Sequence, residues 1–171
     1  MAWEAVMASQ QLVRQYNHKQ WDVEHVLYAL LMQERGFVGD ILHDLGNNID
    51  NVKSEVMGTL ERMPKATYGT RQIYATPRIV ALYNAAEAEA KRLKDDLISP
   101  EHIFIAIASE GKGQSFEILK RYGVDREKIY GVLQKLQKYG RALTELTRDK
   151  EIERLRTVLQ AEVSSWPYFF W

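Results

Sequence analysis

The chain has 171 residues, 46% of them hydrophobic and 27% charged, and Lys plus Arg (23) equals Asp plus Glu (23). That length can bury a real core, and so even a charge balance supplies no global field to draw in nucleic acid or an anionic membrane. The absence of cysteine excludes disulfides, thiolate nucleophiles and sulfur-ligated metals, and with no apolar run of about eighteen residues no transmembrane helix is expected.

From Trp3 to Tyr16, apolar residues recur near helical spacing, and Asn17-His18 reads as the stop. Asp22 is placed to N-cap a second helix, which carries Val26, Leu27, Leu30 and Leu31, is apolar nearly all round, and is therefore expected to be buried. Gly36 is expected to break it. A short third helix follows through Val38, Ile41, Leu42 and Leu45, closed by Gly46. Asn48 opens a fourth with Val52, Val56 and Leu60 on one face. Residues 63–75, with Pro64, Gly69 and Thr70, lack periodicity and read as a linker.

Thr76-Pro77 is an N-cap with proline in the first turn, where its missing N–H costs nothing. The fifth helix carries Val80, Leu82, Tyr83, Ala86, Ala90 and Leu93. Ser99-Pro100 repeats the device and opens a sixth, ended by Gly111 and Gly113. Phe116, Ile118, Leu119 and Tyr122 mark a seventh, stopped by Gly123. Asp125 caps an eighth, with Ile129, Val132, Leu133 and Leu136 on one face. No stretch alternates in the manner of a strand. After Lys138 comes a charged segment with a thin stripe, Ile152, Leu155, Val158 and Leu159, and then an aromatic end, Trp166-Pro167-Tyr168-Phe169-Phe170-Trp171.

One phrase occurs twice. Asp22-Val23-Glu24-His25-Val26 returns as Ser99-Pro100-Glu101-His102-Ile103, an offset of 77 residues from His25 to His102. The same offset carries Ala8 onto Ala85, Ile41-Leu42 onto Ile118-Leu119, Gly46 onto Gly123 and Val52 onto Ile129. This is an internal duplication. The expected architecture is all-α: two four-helix repeats (1–62 and 76–138) related by a pseudo-two-fold, joined by 63–75 and followed by a helical or irregular tail, 139–171.

Several stretches resemble a known family. Gln10 to His18 followed by Val23 to Leu27, and Ala88 to Asp96 followed by Ser99 to His102, are similar to the two halves of the Clp N-terminal (Clp repeat) domain of ClpB/Hsp104-type AAA+ chaperones. Leu60-Glu61-Arg62-Met63-Pro64-Lys65 is similar to the junction between those halves. Tyr139 to Leu146 resembles the segment leading into the first ATPase module, yet no G-x-x-x-x-G-K-[ST] phosphate loop occurs anywhere in the chain. The resemblance implies a non-catalytic domain, without cofactor or metal, that recognises unfolded or aggregated protein clients or adaptor proteins. It also implies that Asp95 and Glu101 are client contacts on a groove where the two halves meet, with Glu24 as a further contact. In the ClpC branch, glutamates at the Glu24 and Glu101 positions hold phosphoarginine beside a Gly-Thr pair; here Asp22-Val23 and Ser99-Pro100 stand there instead.

Read chemically, Glu24 and Glu101 each sit in the positive first turn of a helix, a favourable placement of about 0.3–1 kcal/mol. His25 and His102 have no second ligand at metal-binding spacing and are expected to be half-buried structural histidines bonded to backbone. Ser9, Ser99 and Ser115 lack a nucleophile's context. The stripe (Ile152, Leu155, Leu159) and the end (Trp166, Phe169, Phe170, Trp171) are partner-docking candidates. They support the alternative of a stand-alone regulator that docks on a full-length Clp ATPase hexamer or protease. The opening Met1-Ala2-Trp3-Glu4-Ala5 does not read as a signal peptide, so a cytoplasmic protein is expected, or a plastid-stroma one if the chain is eukaryotic and processed.

Overall fold

A computed structural model describes residues 2–33, 36–66 and 73–136. The chain divides into two compact units, 1–132 and 133–171. The first contains α1 (Ala2–Gln15), α2 (Val23–Met32), α3 (Phe37–Asp44), α4 (Ile49–Glu61), α5 (Pro77–Arg92), α6 (Pro100–Ala108), α7 (Gln114–Arg121) and residues 126–132 of α8, a helix described over 126–136. Ile152, Leu155, Leu159, Trp166, Phe169, Phe170 and Trp171 lie outside the described residues, as does the tail they belong to.

The duplication is written into the backbone. Asn17 and Lys94, one offset apart, are the two non-glycine residues with positive φ among those described, at 55° and 60°. Each closes its helix in a Schellman turn: the His18 amide donates to the Val13 carbonyl at 2.9 Å, and the Asp95 amide to the Ala90 carbonyl at 2.8 Å. Gly46 (φ 81°) and Gly123 (φ 72°) do the same for α3 and α7, where a left-handed residue is needed and glycine alone adopts it without strain. Asn48 and Asp125 cap the helices that follow, accepting from the amides of Asp50 and Lys128.

Helices α2 and α6 form the centre. Val23 to Leu31 is buried without a break, and in α6 Glu101 alone escapes burial. The two helices pack on each other across the pseudo-two-fold, and two matched pairs of cross-repeat contacts flank them, α1 on α6 with α2 on α5, and α2 on α7 with α3 on α6, while α4 also packs on α7. Their continuous apolar surface, with Leu27, Leu30, Phe104, Ile105 and Ile107 at 0% exposure, drives the two halves together. Not every equivalence holds. Where the first repeat buries Leu12, the second buries Glu89, which accepts from the Tyr130 hydroxyl and pairs with Arg126 at 2.8 Å.

Three expectations are corrected. Gly36 does not end α2; that helix stops at Met32, and Gly36 is the N-cap of α3. On α5 the core face is Ile79, Leu82, Ala86, Glu89 and Ala90, while Val80 and Tyr83 are exposed. Strands do occur: β1 (Gln20–Trp21) and β2 (Tyr74–Ala75) pair in parallel, Gln20 opposite Tyr74 and Trp21 opposite Ala75. Two residues are too few to show alternation. What brings them together is the descent of the chain into two adjacent helix starts, and the Thr76 amide extends the pairing by donating to the Trp21 carbonyl at 3.0 Å.

Candidate functional site

Both central helices open with the same cap, and histidine does the work that glutamate or glutamine does in the usual capping box. The Asp22 amide donates to His25 Nδ1 at 3.0 Å, and the Ser99 amide to His102 Nδ1 at 2.8 Å. Because Nδ1 accepts, the ring proton sits on Nε2, and each ring donates onward. His25 Nε2 reaches His18 Nδ1 at 2.8 Å; His102 Nε2 reaches Asp95 Oδ2 at 2.7 Å. His18 and Asp95 are themselves one offset apart. The histidines are fully buried rather than half-buried, with 0% exposure. Burial first, and then the neighbouring His18 ring, pushes His25 down to about 4.

The other end of each relay differs. In the first repeat it is a second buried imidazole. In the second it is Asp95, whose side chain is half exposed and lines a groove. The groove, about 650 Å³, is walled by α1 and α5 and floored by Val26 and Ile103 of the central helices. It lies on the pseudo-two-fold. Ala2 and Ile79, Val6 and Tyr83, Gln10 and Glu87, Trp21 and Ile98, and Val26 and Ile103 all line it, and every pair is separated by the 77-residue offset. Its lining is mainly apolar, and three of its large side chains stand open to solvent: Trp3 (72% exposed), Tyr83 (62%) and Leu97 (78%). Burying such surface is favourable, so a contiguous exposed stretch of it is a binding surface in waiting. Asp96 and Lys91 sit beside Asp95 at one end.

A charge cluster beside the groove ties the repeats together. Arg78, next to the groove residue Ile79, donates from Nη1 to both carboxylate oxygens of Glu24 at 3.2 and 3.1 Å and from Nη2 to Glu110 at 2.9 Å, while Nε also bonds Glu110. Asp22 Oδ2 lies 3.2 Å from Nη1, and Asp22 Oδ1 accepts from the Thr76 hydroxyl at 2.9 Å. The N-caps of α2 and α5, one from each repeat, are thus joined. The three carboxylates raise Arg78 well above its ordinary range. Burial raises Glu24 despite the arginine, because that one cation is shared three ways and Asp22 adds repulsion. Gly113 makes the arrangement possible: a Cβ there would lie 2.2 Å from Arg78 Nη2.

The three sequence candidates therefore separate. Asp95 is in the groove. Glu24, expected as a further contact, is 4% exposed and already holds an internal cation, the guanidinium of Arg78. Glu101 is partly exposed, with one carboxylate oxygen buried and unpartnered, but it is not among the groove-lining residues. Sequence reasoning missed Trp3, Trp21, Tyr83 and Glu87 as groove residues, and Arg78 altogether. The 77-residue offset was the signal for the lining, since Val6, Gln10 and Trp21 map onto Tyr83, Glu87 and Ile98. Among the described residues no group of His, Asp and Glu is arranged to hold a metal ion, and no helix is long and apolar enough to cross a membrane.

Residues 1–122 match the family described as the Clp repeat (R) N-terminal domain. The chaperone protein ClpB of Gloeobacter violaceus is 30% identical over 171 aligned residues, which cover 89% of this chain and 19% of that protein. ClpB of Clostridium tetani is 29% identical, covering 96% of this chain and 22% of its own. The chain thus spans about a fifth of the length of these curated relatives. The fold is similar to the Hsp104 N-terminal domain from Candida albicans (TM-score 0.67, 16% identity, 75% of this chain and 83% of that one). It is also similar to a chain in a structure described as a peptide from the EAEC T6SS Sci1 SciI protein (TM-score 0.67, 18% identity, 80% and 84%). A family match over residues 1–122, on a duplicated helical fold of the same kind, means that the chain belongs to the Clp repeat N-terminal domain family.

Proposed function

We propose that this chain is a non-catalytic recognition domain that receives apolar segments of unfolded or aggregated protein clients, or of an adaptor protein, in the groove between α1 and α5. In this reading 1–62 and 76–138 are the two repeats, 63–75 connects them, and 139–171 trails the recognition body. The observation that carries the reading is the exposed apolar wall formed by Trp3, Tyr83 and Leu97 over a floor of core residues. Asp95, held by His102, is the charged contact at the rim, and Glu101 is a second acidic contact outside the groove. A peptide ligand is in keeping with the description of the SciI-peptide structure, whose chain has this fold. The setting is a cytoplasmic Clp-type machine whose ATPase modules do the mechanical work.

The test is titration of the full chain, carrying Trp166→Phe and Trp171→Phe so that Trp3 and Trp21 are its remaining tryptophans, with a permanently unfolded, tryptophan-free model client, read by intrinsic fluorescence. Saturable binding is expected. Tyr83→Asp, which puts a charge on an exposed wall without touching the core, should weaken it about tenfold, equivalent to about 1.4 kcal/mol. The Asp95→Ala, Glu101→Ala double variant should weaken it as well. Absence of binding, or full binding by Tyr83→Asp, counts against the reading. If instead the chain captures a Clp hexamer and loses it on deletion of 147–171, the regulator alternative takes its place.

A further inference from the structure

A groove built on a two-fold axis offers a ligand the same apolar surface in either direction. The five symmetry-related pairs that line this one are apolar on both sides, except Gln10 and Glu87. Charge breaks the equivalence. On the second-repeat side stand Glu87, Lys91, Asp95 and Asp96, a formal net of two negative charges. The residues one offset earlier are Gln10, Arg14, His18 and Lys19, a formal net of two positive charges with histidine neutral. Lys91 lies 3.6 Å from Glu87, so the acidic surplus falls on Asp95 and Asp96, both exposed and both in the groove wall. On the first-repeat side Arg14, His18 and Lys19 lie beyond the groove lining; His18 is buried against His25, and exposed Lys19 holds the position equivalent to Asp96.

We propose that this inversion makes the groove directional: it seats an amphipathic protein segment whose basic flank lies against Asp95 and Asp96 and whose neutral or acidic flank points toward the Lys19 side. The proposal rests on the recognition reading above and adds polarity to it. His102 is the positioning residue. Its Nδ1 is occupied by the Ser99 amide, so its Nε2–H is committed to Asp95 Oδ2, which leaves Oδ1 for a cation.

The experiment uses the full chain and two fluorescein-labelled peptides with one Leu/Phe core, one flanked at one end by a Lys pair and the other by a Ser pair. The Lys peptide should bind at least fivefold more tightly at low salt, and the advantage should collapse as ionic strength rises. Asp96→Lys should remove that advantage, so that the Lys peptide no longer binds more tightly than the Ser peptide. A nitroxide on the Lys-bearing end should broaden amide resonances near Asp96 and Leu97 and spare those near Lys19. Equal broadening on both sides, or an Asp96→Lys variant that still prefers the Lys peptide, overturns directionality while the groove reading stands. Failure of both peptides to bind overturns the two together.

Discussion

Arg78 and Glu24 belong to different repeats, yet Nη1 of the arginine lies 3.2 and 3.1 Å from the two oxygens of the glutamate. The glutamate side chain is 5% exposed and the arginine's 22%. Removing one partner of so enclosed a pair strands the other's charge. Arg78→Met should therefore cost about 3 kcal/mol, measured by urea unfolding. Arg78→Lys should recover only part of this, because an ammonium cannot span Asp22, Glu24 and Glu110 as the planar fork does. Equal stability of the Lys and wild-type proteins would refute the shared-fork account.

Gly113 and Gly46 both have positive φ, 89° and 81°, but differ in what surrounds them. Nothing lies within 4 Å of a Cβ built on Gly46, so Gly46→Ala should cost only the backbone term, about 1 kcal/mol. At Gly113 the same methyl meets the Arg78 guanidinium at 2.2 Å and must displace it. Gly113→Ala should cost at least about 2 kcal/mol, part of it backbone strain at φ 89° and ψ 164°, and the steric part should vanish in an Arg78→Met background. Two additive losses would show that the glycine serves its turn alone.

Stability should fall with acid in a defined window. The folded-state value of His25 is about 4, below the ordinary 6.5 of the unfolded chain, so between those values the unfolded state binds the extra proton. The contribution of His25 is fully present above about pH 6.5 and is lost as pH falls toward 4, roughly 3 kcal/mol in all. His18 is lowered too, chiefly by burial, and acts in the same sense. Urea unfolding from pH 7.5 to 4.5 measures the slope, which should flatten in His25→Asn. An unchanged slope in that variant would place the acid sensitivity elsewhere.

Lys94 sits at φ 60°, a region that suits its counterpart Asn17 better. Lys94→Gly should therefore stabilise the fold, by up to about 1 kcal/mol and a few degrees in Tm. A loss of stability would mean that the lysine stem contributes packing that outweighs the strain.

Much of this architecture is legible in the sequence because it rests on local chemistry. Asp22, Asn48, Thr76-Pro77 and Ser99-Pro100 announce helix starts through their own side chains, and a fixed offset exposes the duplication without any structure. Contacts that depend on distant groups leave no such trace. Arg78 meets carboxylates 54 and 32 residues away and has no periodic signature. Tyr83 falls on what reads as the apolar face of α5, yet stays exposed because α1 stands across a groove instead of closing on it. Glu24 and Glu101 look interchangeable in the repeated phrase. Only the three-dimensional arrangement distinguishes the acid that has an internal cation from the one that keeps an unpartnered oxygen.

The packing of α2 on α6 has one more implication. Each repeat carries, on its central helix, an apolar face that its twin covers, so a single repeat is a protomer and the whole chain is a dimer sharing one backbone. In a true homodimer a single gene sets both walls of a groove on the axis, and any charge placed on one side is copied to the other. Joining the copies in tandem lifts that constraint. One descendant position became Lys19 and the other Asp96, and a surface that symmetry would have kept indifferent to direction acquired a front and a back.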